Sequence, residues 1–274
     1  MTSFDAEQAV PKALTIAGSD SGAGAGIQAD LKTFAAHGVY GTSAITAVTA
    51  QNTREVIAVA EVPEEIVAAQ IDSVLEDIGA GAIKTGMLSS ARIVETVAER
   101  IEAWGIQTVV DPVMISKSGN FLLAPEAIGA LKRRLIPASA IVTPNHHEAA
   151  ALTGIEIKSD EDAREAARAL ADLGARIVVI KGGHRPGAPI DLVFDGSSFG
   201  ELSAERIETD NTHGTGCTFS AAITANLALG FGPLESIARA KLYLTEALRT
   251  SYRVGGGHSP VNHLFALEPT GSIR

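Results

Sequence analysis

Aromatic residues make up only 4% of the 274 residues, and cysteine occurs once, as Cys217. One cysteine excludes an internal disulfide framework and leaves either a small buried hydrophobe or a functional thiol. Scarce aromatics against 46% hydrophobic residues mean a core of Ala, Val, Ile and Leu, as in layered α/β proteins whose strands are covered on both faces. Lys and Arg form no block or stripe and the formal net charge is -10, so the basic footprint of a nucleic-acid binder is missing. No stretch approaches the roughly 18 consecutive apolar residues of a membrane span, and residues 1–11 lack a charged-then-apolar leader pattern. The expected location is the cytoplasm, with no membrane partner and with residues 1–11 as a flexible extension. Adjacent His146 and His147 lack the i, i+4 spacing that puts two imidazoles on one helical face, and no Cys or further His is spaced to complete a zinc site.

What the chain does contain is a repeating alternation. Short β-rich runs at 14–17, 44–49, 82–84, 108–110, 140–142 and 177–180 are separated by helix-length intervals. Val67, Ile71, Val74 and Ile78 recur at three- and four-residue steps, as do Ile93, Val97, Ile101 and Trp104, which is the helical period. Repeated strand–helix–strand units with short connections call for right-handed crossovers and a three-layer α/β/α sandwich around a mostly parallel sheet. No linker or low-complexity segment divides residues 1–274, so a single domain is expected. Ligands of such sheets bind outside the carboxyl ends of the strands. Polar and glycine residues gather at those exits, among them Gly18-Ser19-Asp20, Gln51-Asn52, Gly86-Met87, Asp111-Pro112-Val113, Pro144-Asn145 and Lys181-Gly182-Gly183.

Four segments carry chemistry, each beside a rival reading. Thr212-His213-Gly214-Thr215-Gly216-Cys217 precedes an apolar, small-residue run at 219–229 that reads as a helix. Its glycines let successive N–H groups converge on an anion at the positive end of that helix, yet the same residues serve equally as a tight connection. Cys217 at a helix start is expected to have a thiol pKa below the free value of about 8.5, so it could take a proton from a hydroxyl. Asn145 and Glu148 stand as in a capping box, or place a carboxylate where it could hold a hydrated Mg²⁺, which needs few protein ligands. Gly24-Ala25-Gly26-Ile27-Gln28-Ala29 matches the G-x-G-x-x-A of dinucleotide sites, but no acidic residue ends the second strand. A glycine-rich loop at 18–26 closing over a small substrate, with Asp30 one turn into the helix, suits it better. Lys181 could place an ammonium near a polyphosphate or simply be solvated.

Taken in order, the runs AGSDS (17–21), GIQADLKT (26–33), TAQNT (49–53), KTGML (84–88), DPVM (111–114), TPN (143–145) with Glu148, KGGH (181–184) and THGTGCT (212–218) resemble the bacterial hydroxymethylpyrimidine/phosphomethylpyrimidine kinases of thiamine biosynthesis, in the ribokinase-like superfamily. The likeness runs from about Ala13 to His263. It implies that Gly18, Asp30, Gln51, Met87 and Val113 line a pyrimidine pocket and that Asn145, Lys181 and Thr212 handle the nucleotide. It further implies that Glu148 serves Mg²⁺ through water, and that Gly214, Thr215, Gly216 and Cys217 form the anion hole and its base. The implied activity is ATP-dependent phosphorylation of 4-amino-5-hydroxymethyl-2-methylpyrimidine and then of its monophosphate, by a homodimer. Cys217, where most of the superfamily carries Asp, places the chain in the pyrimidine and pyridoxal kinase branch. The rival readings are pyridoxal kinase and a catalytically silent nucleotide-binding scaffold.

Overall fold

The computed structural model describes residues 10–115, 122–183 and 188–267; the predicted extension, apart from Val10 and Pro11, and His184 lie outside them. Among the described residues nine strands form one sheet in the order β3-β2-β1-β4-β5-β6-β7-β8-β9. Six parallel strands make its centre: β1 (Lys12–Asp20), β2 (Tyr40–Gln51), β4 (Ala82–Thr85), β5 (Thr108–Val110), β6 (Ile141–Val142) and β7 (Ile177–Ile180). These are the six strands read from the sequence. Three antiparallel strands that the sequence reading did not anticipate extend the edges: β3 (Val56–Glu61) beside β2, and β8 (Asp191–Phe194) and β9 (Phe199–Leu202) beyond β7.

Strand side chains alternate between two cores, as the two-residue period requires. Ile83, Val110, Val142 and Val178 face one; Ala82, Val109, Ile141 and Val179 face the other. The first is covered by α2 (Glu64–Asp77), α3 (Ala91–Trp104), α4 (Pro125–Ala130) with its π-helical continuation Leu131–Leu135, α5 (His146–Thr153) and α6 (Asp160–Asp172). The second is covered by α1 (Gly26–Ala36), α7 (Thr215–Ala228) and α8 (Pro233–Arg249). The result is the expected three-layer sandwich. The predicted stripe of α3 is its buried face as far as Ile101, with Ile93, Val97 and Ile101 inside, whereas Trp104 at its end is exposed. Each such side chain contributes roughly 1.5–3 kcal/mol of gross burial energy, against which ordering of the chain is set.

α7 is different in kind. Ten consecutive residues from Thr218 to Leu227 are buried, because the helix lies between the sheet and its neighbours α1 and α8; a helix apolar or small on every side is a buried one. Its small residues let it sit close under the strand ends, which brings its N-terminus to the carboxyl edge of the sheet. No helix among the described residues is long and apolar enough to cross a membrane.

Candidate active site

The start of α7 is built to remain open. Its N-cap, Gly214, has φ +75°, a left-handed conformation that side chains rarely adopt. A Cβ there would also run into the carbonyl oxygen of Gly24. Glycine is thus required twice over, by backbone angle and by close approach. No side chain caps the helix and no acidic residue lies in its first turn, so its positive end is met by no side-chain acceptor of its own.

Beside this turn stands an ionic cluster. Lys181, bridged to Asn145 just beyond β7, places its ammonium 2.8 Å from Asp111 Oδ1 and 3.8 Å from Glu148 Oε2. A Cβ on Gly216 would come to 3.2 Å from Lys181 Nζ, so the cluster and the anion turn are in contact. Lys181 is therefore ion-paired and only 16% exposed, which removes the reading of a solvated strand-end lysine. Burial alone would depress its pKa; Asp111 and Glu148 outweigh that and hold it above its ordinary value. Burial and the charge of Asp111 push the Glu148 carboxyl up to about 7, against the pull of Lys181 and of backbone N–H groups. The Asn145 and Glu148 pair does form a full capping box, with Glu148 N–H donating to Asn145 Oδ1 at 2.9 Å and Asn145 N–H donating to Glu148 Oε2 at 2.7 Å. The structural reading is thus realised, and it also fixes the carboxylate beside Lys181. Two carboxylates flanking one ammonium are a donor set that suits a hydrated divalent cation bound mainly through waters and phosphates. Among the described residues no cluster of three or more His, Cys, Asp and Glu offers a dedicated cage.

One sequence expectation is corrected. The Cys217 thiol has a pKa pushed up to about 11, not lowered. Burial is the chief cause, with Asp30 and Asp111 adding to it, and the opposing influence of Lys84 and of the Gly26 N–H is smaller. Asp30, expected to line the pyrimidine pocket, is fully buried in this ligand-free structure, with Lys84 Nζ donating at 2.9 and 2.8 Å and Thr15 Oγ1 at 2.6 Å. It forms a buried ion pair under the site. Removing either partner of such a pair costs about 3–5 kcal/mol, since the other charge is left uncompensated.

The remaining predicted positions fall along the same edge. Gly18 ends against Met87, whose Sδ would lie 3.1 Å from a Cβ on that glycine. Val113 follows Asp111, its N–H donating to the Asp111 carbonyl. Gln51 lies next to the loop after β1, where its N–H and carbonyl both bond Ser21 Oγ, at 2.7 and 2.8 Å. Thr212 precedes the anion turn and accepts from Thr215 N–H. Within the segment 18–26, the expected lid, the Asp20 carboxylate accepts from the N–H groups of Gly22, Gly24 and Ala25. Asp20, Lys84, Asp111 and His213 were not singled out as site residues. Lys84 had a signal, an ionisable side chain inside an apolar strand, which demands a buried partner.

Comparison with known proteins agrees with this edge. The family model described as Phosphomethylpyrimidine kinase matches residues 20–262. A hydroxymethylpyrimidine/phosphomethylpyrimidine kinase of Streptomyces coelicolor is 49% identical over 257 residues, covering 94% of this chain and 96% of that protein. The thiamine biosynthesis bifunctional protein ThiED of Geobacter sulfurreducens is 51% identical, but the match covers 93% of this chain and only 52% of that longer protein. Among solved structures, the ADP complex of Bacillus subtilis pyridoxal kinase superposes with a TM-score of 0.87 at 41% identity, covering 93% of this chain and 97% of the other. A phosphomethylpyrimidine kinase of Clostridium difficile gives 0.78 at 46% identity, with 86% and 99% covered. The chain, a kinase on a ribokinase-like α/β scaffold, belongs to the phosphomethylpyrimidine kinase family.

Proposed function

We propose that this protein transfers the γ-phosphoryl group of ATP to 4-amino-5-hydroxymethyl-2-methylpyrimidine and then to its monophosphate, and that it does so in the cytoplasm as a homodimer. The observation that carries the reading is the uncapped α7 N-terminus in contact with the Lys181–Asp111–Glu148 cluster. Phosphoryl transfer demands little covalent chemistry from a protein; it demands placement and charge stabilisation. The N–H groups of Gly214 and Gly216 would hold the equatorial oxygens of the moving group, joined by that of Thr215 once it leaves the Thr212 carbonyl. Lys181 would offset charge on the β- and γ-phosphates, with Thr212 and Asn145 at the nucleotide's flank. Asp111 and Glu148 would hold Mg²⁺, which supplies charge neutralisation between the phosphates when bound.

Cys217 Sγ would receive the hydroxymethyl proton, its own proton having passed to solvent. Its resting state is the thiol, so deprotonation has to precede that task, with the Gly26 N–H and Lys84 favouring the thiolate. The monophosphate needs no such base, since its attacking oxygen is already ionised. Gly18, Gln51, Met87 and Val113 would form the ring site, and Gln51 has an amide that can both donate to and accept from an aminopyrimidine edge. Asp30 would support that site from beneath.

The pyridoxal alternative has its support in the structural neighbours named as pyridoxal kinases, at 38–41% identity. Curated relatives named for the pyrimidine activity reach 49–51%, which favours the pyrimidine. The homodimer finds support in β3, which leaves Ile57 68% and Val59 44% exposed on a sheet edge; a sedimentation mass of one chain would refute it. Product masses after incubation with Mg-ATP and each acceptor test the activity. Formation of the pyrimidine diphosphate is expected, whereas turnover of pyridoxal alone would reassign the protein.

A further inference from the structure

Outside the groups assigned above, one side-chain pair joins two parts of the site that lie far apart in sequence. His213 Nε2 stands 3.1 Å from Asp20 Oδ2, a pairing across 193 residues, with the side chains 11% and 3% exposed. His213 immediately precedes Gly214, and its backbone N–H is fixed separately by the Ser259 carbonyl at 3.1 Å. Asp20 organises the loop after β1: Oδ1 accepts from Gly22 N–H and Oδ2 from Gly24 and Ala25 N–H. In that loop Ala23 is held at φ +59°, a conformation costing about 1–2 kcal/mol for a residue with a Cβ. Gly24 packs directly on the His213 ring and its carbonyl on Gly214.

From this geometry we propose that Asp20 and His213 act as positioning residues, a clamp that registers the pyrimidine-side loop against the phosphate turn so that acceptor and γ-phosphoryl group meet in line. The inference rests on the pyrimidine-kinase reading and deepens it. The protonation states follow from the contacts. Burial alone would raise the Asp20 pKa, but the bonds from His213, Ala25 and Gly22 hold it below the usual carboxylate value. An ionised Asp20 can only accept, so Nε2 carries the hydrogen of this bond. Gln51 Nε2 lies 3.4 Å from the same ring nitrogen. With the amide turned as in this structure, both atoms are donors, so that approach is a packing contact. The Gln51 side chain is held instead at its oxygen, which accepts from Thr49 Oγ1 at 3.2 Å.

The chemistry of the donor supplies the test. Glutamine can put an amide nitrogen near the place of Nε2, whereas asparagine reaches only the place of Nδ1. Steady-state kinetics would be measured on the full chain with hydroxymethylpyrimidine and Mg-ATP, for the native protein and for His213→Ala, His213→Gln, His213→Asn and Asp20→Asn. Misregistration of reacting groups by about an ångström costs up to roughly 100-fold. His213→Ala and His213→Asn should therefore lose at least about tenfold in kcat and raise KM for the pyrimidine, with KM for ATP within about twofold. His213→Gln should recover most of the loss, and Asp20→Asn should resemble His213→Ala. Equal kinetics for the Gln and Asn variants, or a KM for ATP that moves as far as that for the pyrimidine, would overturn the clamp. If His213→Ala does not fold, the Gln and Asn pair decides. Absence of turnover in the native protein would refute the kinase reading itself and is distinct from either result.

Discussion

Two helices begin at the same edge of the sheet and begin in opposite ways. α5 starts with a complete capping box, in which Asn145 and Glu148 satisfy each other's backbone N–H groups. α7 starts at a left-handed glycine with no cap and no acid in its first turn. Cap exchange of the kind seen at α5 is worth about 1 kcal/mol, and α7 forgoes it, although it is the most buried helix in the fold. α1 and α3 also begin without a side-chain cap or a first-turn acid, so what sets α7 apart is its left-handed Gly214 together with the closeness of Gly216 to Lys181 and Asp111. α5 in turn shows how a single residue serves both structure and site, since its cap is what holds the Glu148 carboxylate near Lys181.

The largest expected effect comes from closing the open end. Gly214→Ala would force a side chain into a left-handed backbone and against Gly24, so both phosphorylation steps should fall by at least about 100-fold, the scale of losing an oxyanion donor, as read from initial rates of product formation.

Glu148→Gln comes next, because Gln at that position retains the capping box and removes only the charge. KM for Mg-ATP should rise about tenfold, the scale of one charge-assisted contact, with the melting temperature little changed. The native protein should carry a pH signature of the same residue. Its carboxyl, raised to about 7 in the folded state, takes a proton as pH falls through that value. The rate at limiting Mg-ATP should then decline below pH 7 and recover with added Mg²⁺, a limb absent from the Gln variant. Stability has the opposite sign: the folded state holds this proton between about 4.5 and 7 while the unfolded chain does not, so the contribution of Glu148 falls as pH rises through that window. Asn145→Ala should show the smallest effect, about 1 kcal/mol in denaturant unfolding from the lost cap.

The parallel centre of the sheet was legible because its strands are short β-branched runs buried on both faces. The antiparallel edges were not. β3 follows Gln51-Asn52, which reads as a strand exit, and is exposed along nearly its whole length. β8 opens on Asp191, whose charge is met by Lys241 of α8 at 2.7 Å, a partner 50 residues away that no local pattern reveals. The site was legible as residue types at strand exits and much less so as states. Asp30 falls on the buried face of α1 with Ile27 and Phe34, but its partner Lys84 lies 54 residues on. The thiol of Cys217 was judged from its helix position alone, whereas its pKa is set by burial and by Asp30 and Asp111, which come from other elements.

The central claim is that the α7 turn provides the transfer geometry and that Cys217 serves only the acceptor that carries a proton. The most direct test compares Cys217→Ala with the native protein in the two steps separately, following hydroxymethylpyrimidine monophosphate and diphosphate formation at several pH values. The first step should lose about 10²–10⁴-fold, the range of general-base catalysis, while diphosphate formation stays within about tenfold of native. In the native protein the first step should also quicken as pH rises toward the thiol pKa of about 11, and the second should not. Equal losses in both steps, or a first step indifferent to the substitution, would contradict it.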